Sequence, residues 1–268
     1  MKKIIKGKRV NIDKIRYLLF TDTETIGSIY VKESVLPFEI GVKVYDTIEK
    51  KVVYEKSYIV RKFFNDKYIM LSTFSATKYP QYKEDIKDKK TYFIGSVRDI
   101  YKHIKNIINK FNIGVMVAHN GQFDKDALAR LGNEFACYNP FEDLDLLDTM
   151  EISQVITNTK QYVNFCKKNK HIKNPMGESA FITNSGRVRL TAQAIYAYII
   201  DNPEYQESHT ALKDIDDEIR IFQESSDLLG NRLVRLNIAP NWQEYENKRH
   251  LKDYNLKDKD KKGLKWKQ

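Results

Sequence analysis

The sequence predicts an α/β fold, a mixed five-stranded sheet flanked by helices. Three strand-like runs crowd into the first sixty residues, and from residue 97 onward helical patterning alternates with short apolar runs. Nothing between residues 17 and 247 reads as a repeat or a linker, so one domain with an extension at each end is expected.

Tyr17–Thr23 (YLLFTDT) reads as a buried strand that runs out into polar residues. Glu39–Asp46 and Val52–Val60 partly alternate apolar and polar residues across the short polar linker 47–51, which predicts antiparallel neighbours. Residues 62–93 are polar, aromatic and poorly periodic, and are expected to form a long loop with short elements. Ile100, Ile104, Ile107, Ile108 and Phe111 recur at helical spacing, so Val97–Phe111 is an amphipathic helix. Gly114–Ala118 is a short apolar strand entering the turn His119-Asn120-Gly121, with a helix over Asp124–Leu131 stopped at Gly132. Leu144–Thr149 supplies the fifth strand and 150–168 a helix; Ala180–Leu190 resembles a hairpin turning at Asn184-Ser185-Gly186. Thr191–Ile200 and Leu212–Leu229 complete the helices.

Composition narrows the class. Of the 268 residues, 41% are apolar, enough for one substantial core, and no run of eighteen apolar residues could form a membrane-spanning helix. The N-terminus lacks the apolar stretch and cleavage site of a signal peptide. Cys137 and Cys166 lie far apart and form no CxxC pair, which fits a reducing interior, so a cytoplasmic protein is expected. Charge is uneven. Residues 1–16 hold seven Lys/Arg against one Asp and residues 248–268 nine against three, so each end is +6 and, against the total of +10, the body between is −2. Basic ends on a near-neutral body are either simply solvated or are arms that meet a polyanion, commonly nucleic acid.

Three carboxylate-bearing segments could carry chemistry. Asp22 and Glu24, two apart at a strand end, project to one face, where a divalent cation would relieve their repulsion. Oxygen-only ligation favours Mg²⁺ or Mn²⁺. Asp124 follows the turn after the strand at 114–118, and His209 and Asp214 stand about a turn apart at the mouth of a helix. Each has a plainer reading alone: a solvated strand end, an Asp favouring a helix N-terminus, and a charged helix face that also takes in Asp216, Asp217 and Glu218. His119 reads as structural.

In order and spacing, however, the three segments resemble the motifs of the DEDDh exonucleases, the DnaQ-like branch of the ribonuclease H-like fold. FTDTETIG (20–27) is similar to the first motif, AHNGQFD (118–124) to the second with its N-x-x-F-D core, and HTALKD (209–214) to the third. PFEIG (37–41) and LDT (147–149) also fall where that family has similar segments, and the likeness covers about residues 17–225. Ile26 departs from a frequent threonine and Ile215 from a frequent alanine.

The resemblance implies a stand-alone bacterial or phage member that removes nucleoside 5′-monophosphates from 3′ ends, in the cytoplasm of its own or its host cell. Asp22, Glu24, Asp124 and Asp214 would hold two Mg²⁺ or Mn²⁺ ions, with His209 as general base. Thr25, Ile26, Asn120 and Phe123 would meet the substrate, expected to be single-stranded DNA. An exoribonuclease of oligoribonuclease or tRNA-trimming type is the alternative. A non-cutting protein that binds nucleic acid or a polymerase is disfavoured by the complete residue set. A protein partner is left unspecified. Regions 62–93 and 166–190 exceed a minimal member and are expected to contact substrate or a partner rather than form core; the aromatics of 62–93 either suit base stacking or tack a long loop onto the body.

Overall fold

Leu18 and Phe20 face one side of the first long strand and Leu19 the other, and this alternation sets the layers of the molecule. The computed structural model describes residues 7–27, 35–71, 74–230 and 233–238. Its strands are β1 (Arg9–Val10), β2 (Tyr17–Ile26), β3 (Leu36–Asp46), β4 (Lys51–Val60), β5 (Tyr92–Gly95), β6 (Val115–Ala118), β7 (Asp145–Asp148) and β8 (Val234–Arg235). Its helices are α1 (Arg61–Phe64), α2 (Lys67–Leu71), α3 (Tyr79–Asp85), α4 (Val97–Lys110), α5 (Gln122–Glu134), α6 (Thr149–Ile152), α7 (Gln154–Thr157), α8 (Lys160–Lys168), α9 (Ala192–Ile199) and α10 (Ala211–Leu229).

The main sheet has six strands in the order β5-β4-β3-β2-β6-β7. Strands β2, β3 and β4 are antiparallel neighbours, while β5, β6 and β7 add in parallel. The expected five-stranded mixed sheet therefore gains β5, a four-residue edge strand too short to show a pattern, which begins at the end of the region read as a long loop with short elements. Leu19, Ile40, Val42 and Val44 pack on one face with Ile100, Ile104, Leu128 and Leu131 of α4 and α5. Leu18, Phe20, Val115 and Val117 pack on the other with Ile215, Ile219 and Phe222 of α10.

Several expectations are corrected. The helix at 124–131 runs from 122 to 134, because Gly132 serves close packing rather than termination: an added Cβ would lie 3.0 Å from the Cys137 carbonyl oxygen. The helix at 150–168 is three short ones, the last capped by the Thr159 hydroxyl, which accepts from the Tyr162 N–H at 3.2 Å. The 180–190 hairpin, by contrast, forms as expected: a bridge joins Ile182 to Val188, and the N–H groups of Arg189 and Thr183 donate to the carbonyls of Phe181 and Arg187 at 2.8 Å each, around Gly186 at φ 80°.

Nor are the two extra regions surface appendages. Phe63, Phe64, Tyr79 and Tyr82 are buried in the main core, leaving Tyr68, 91% exposed, as the one fully presented ring among the described aromatics of 62–93. Phe181, Ile182 and Val188 join Tyr162, Val163, Cys166 and Ile195 in a cluster that reaches Ile221 of α10. The N-terminal segment is likewise integrated where it is described: Arg9 and Val10 pair with Arg235 and Val234, and Ile12 is buried. The basic stretch 248–268 lies outside the described residues.

Helix α10 approaches the sheet at Gly41, where an added Cβ would lie 2.8 Å from the Ala211 Cβ and 2.9 Å from its carbonyl carbon. Gly41→Ala must therefore push the start of α10 away. It is expected to cost about 1–3 kcal/mol, lowering Tm by about 2–4 °C per kcal/mol, as differential scanning calorimetry would measure.

Candidate active site

Strand β2 carries Asp22 and Glu24 past the end of its parallel pairing with β6, on the α10 side that Leu18 and Phe20 also face. Between them, Thr23 donates from Oγ1 to Asp124 Oδ1 at 2.7 Å, tying β2 to the first turn of α5. The β2–β3 register shifts between Glu24 and Thr25, an irregularity of the kind that re-aims side chains beside functional sites.

The turn into α5 is built by Asp148 at the end of β7. Its carboxylate accepts from the backbone N–H groups of Asn120 (3.0 Å), Gly121 (2.9 Å) and Met150 (2.9 Å). Those bonds hold Asn120 at φ 57°, in the left-handed region that asparagine tolerates better than most residues. His119 is structural, as expected. Its ring nitrogens lie 2.9 Å from Thr149 Oγ1 and 2.7 Å from the Leu190 carbonyl, and burial lowers its pKa to about 4.

Helix α10 brings the third group. Its N-cap, Thr210, makes no side-chain capping bond; buried Glu39 takes the role from β3, accepting from the Ala211 N–H at 3.2 Å. Glu39 also accepts from Ser57 Oγ at 2.6 Å and from the Tyr82 hydroxyl. Immediately before the helix, His209 sits at φ 52°, a strained backbone of the sort that clusters at functional sites. One ligand atom from each of Glu24, His209 and Asp214 lies within 4.8 Å of the others.

Electrostatics complete the cluster. Asp22 is held well above the usual carboxylate range by burial, then by the charges of Asp124, Glu218, Glu24 and Asp214. Burial raises Asp124, Asp148 and Asp214 to about 7 each. The imidazole of His209 is pushed below its ordinary value, first by burial and then by Lys78, which the 62–93 region brings near. The structure thus gathers all five predicted catalytic residues. Of the expected substrate contacts, Phe123 is 38% exposed, whereas Ile26, 8% exposed, belongs to the core.

Three contributors escaped the sequence reading: Asp148, Lys78 and Glu218. Glu218 was taken with Asp216 and Asp217 as a solvated helix face, but Asp217 and Glu218 are buried and only Asp216 is exposed, where it pairs with Lys43 at 2.6 Å. The available signal was spacing, since Glu218 stands one helical turn after Asp214.

Solved structures share this fold. The nuclease domain of 3′hExo, a DEDDh family member bound to rAMP, matches with a TM-score of 0.53 and 13% identity over 83% of this chain and 96% of that one. Cell-death related nuclease 4 (CRN-4) matches with a TM-score of 0.54 and 13% identity over 82% and 67%. A structure of 3′-end specific recognition of histone mRNA stem-loop by a 3′-exonuclease matches with a TM-score of 0.53 and 13% identity over 82% and 85%. The chain has the fold of the DEDDh 3′-exonucleases. No family model and no curated protein matches its sequence.

Carboxyl groups raised in the folded chain still hold protons that the unfolded chain has released, so they make metal-free stability fall as pH rises from about 4 to about 7. The lowered pKa values of His119 and His209 act in the opposite sense but are fewer. In EDTA, Tm is expected to fall between about pH 4 and about pH 7. With millimolar Mn²⁺ the fall should vanish, because the cation competes with those protons. Thermal melts across pH, with and without Mn²⁺, check both.

Proposed function

We propose that this chain is a metal-dependent 3′→5′ exonuclease that releases nucleoside 5′-monophosphates from single-stranded nucleic acid, with single-stranded DNA the expected substrate. The observation that carries the reading is the convergence of Asp22, Glu24, Asp124 and Asp214 from three rigid elements, with His209 beside them. The donor set fits hard divalent cations: it is rich in carboxylate oxygen, mutually repelling and, among the described residues, short of compensating lysines or arginines. The four carboxylates would hold two Mg²⁺ or Mn²⁺ ions, which would offset the charges of Asp124, Glu24 and Asp214 that bear on Asp22. Bound there, they would stabilise the attacking and leaving oxygens of an in-line displacement.

This chain's own residues supply the rest. His209, its pKa lowered, is neutral near pH 7 and able to take the proton of the attacking water. Phe123, beside Asp124 and partly exposed, offers a ring to the terminal base, and Asn120 and Thr25, both half-buried, would meet the substrate beside it. Lys78 offers a cation to the phosphates. An exoribonuclease is the second reading, and it is favoured by the rAMP and histone mRNA stem-loop in the similar structures.

The test is a pair of matched DNA and RNA oligomers in Mg²⁺ or Mn²⁺, with products resolved by length. Stepwise shortening from the 3′ end is expected, abolished by EDTA and nearly abolished in Asp22→Ala, Glu24→Ala, Asp124→Ala or Asp214→Ala. His209→Ala should lower kcat by about 10²–10⁴, and parent kcat should climb with pH with its midpoint below the ordinary histidine value of about 6.5. Undiminished cutting in EDTA would overturn the reading, and the faster strand identifies the substrate class.

A further inference from the structure

Glu218 lies on α10 four residues after Asp214, hence on the same face and one turn further along. Only 4% of it is exposed. Its Oε1 accepts the His119 N–H at 3.0 Å, which fixes the end of β6 where the chain turns toward Asp124. Its Oε2 is buried and has no hydrogen-bond partner among the described residues. No lysine or arginine among those residues forms an ion pair with it. The charges that bear on it are those of Asp124, Asp148 and Asp214, and its own bears on Asp22 more strongly than that of Glu24 or Asp214 does. A buried carboxylate oxygen that accepts nothing, among other carboxylates, is destabilising unless a cation or a proton meets it.

We propose that Glu218 is a fifth carboxylate of the metal centre, binding a divalent cation through Oε2 while Oε1 keeps the His119 turn in place. The inference rests on the reading of Asp22, Glu24, Asp124 and Asp214 as a metal centre, and adds to it a ligand on the helix that already carries Asp214. It also explains why α10 is fastened at both ends of this stretch. Glu39 holds the Ala211 N–H at the start of the helix, and Glu218 holds the His119 N–H two turns later. The alternative is a purely structural glutamate that does no more than accept that N–H.

Glutamine separates the two. Glu218→Gln keeps an oxygen for the His119 N–H but removes the charge, whereas Glu218→Ala removes both. Mn²⁺ binding would be followed by calorimetric titration and by the EPR signal of the free ion, on the full chain without nucleic acid. Asp216→Asn, an exposed acid on the same helix, controls for net charge. The wild type and Asp216→Asn are expected to bind two Mn²⁺ alike. Glu218→Gln should weaken at least one of the two by about 10–100-fold, as losses of supporting ligands do, with a metal-free Tm equal to or above the wild type. Glu218→Ala should bind Mn²⁺ as poorly and melt lower without metal. Equal affinity in Glu218→Gln and wild type would overturn the assignment and leave the nuclease reading standing. A Glu218→Gln chain that fails to fold would also overturn it, because neutralising a ligand that awaits a cation cannot unfold the metal-free protein. A wild type that binds no Mn²⁺ would overturn the metal centre and Glu218 together.

Discussion

Carboxylates withdrawn from water repel one another far more strongly than they do in bulk solvent, and past the end of the parallel β2–β6 pairing five share one neighbourhood. Asp22 and Glu24 come from a strand, Asp124 from α5, and Asp214 and Glu218 from α10. Left to themselves these groups would move apart or take up protons, so the fold must hold them together. It does so by mounting each on an element anchored in a core. Asp22 and Glu24 continue a strand whose Leu18, Leu19 and Phe20 are fully buried, while Leu128 and Ile215 fix the helices behind Asp124 and Asp214.

Buried acids do much of the fastening. Glu39 links β3 to β4 through Ser57, to α3 through Tyr82 and to α10 through the Ala211 N–H. Asp148 fastens the turn before α5 and the start of α6, and Thr23 pins Asp124 to β2. Tyr82 comes from the 62–93 region, so that region is part of the framework that positions α10 and not only an edge of the cleft. Gly41 leaves the space in which this fastening can be tight.

Much of this was legible in the sequence, for reasons that can be named. The strands at 17–26, 36–46 and 51–60 and the helix at 97–110 have enough length for their periodicity to show. The five catalytic candidates could be found because their motifs are local: each depends on residues within about one turn or one strand pair. The failures involve contacts between distant segments. Glu218 looked like one member of a solvated acidic run because nothing local places His119 against it, 99 positions away. The burial of Tyr79 and Tyr82 depends on where the chain folds back over Phe38 and Phe64, which composition does not encode. A four-residue edge strand such as β5 carries no usable period at all.

The central claim is that this acidic neighbourhood exists to hold two divalent cations where a 3′ end can meet them. Anomalous diffraction from crystals grown with Mn²⁺ and a nucleoside 5′-monophosphate tests it directly. The account predicts two manganese peaks about 4 Å apart, enclosed by Asp22, Glu24, Asp124 and Asp214, with the phosphate of the nucleotide bridging them and His209 facing it. Manganese bound elsewhere on the surface, or no peak at this cluster in the presence of the nucleotide, would contradict it.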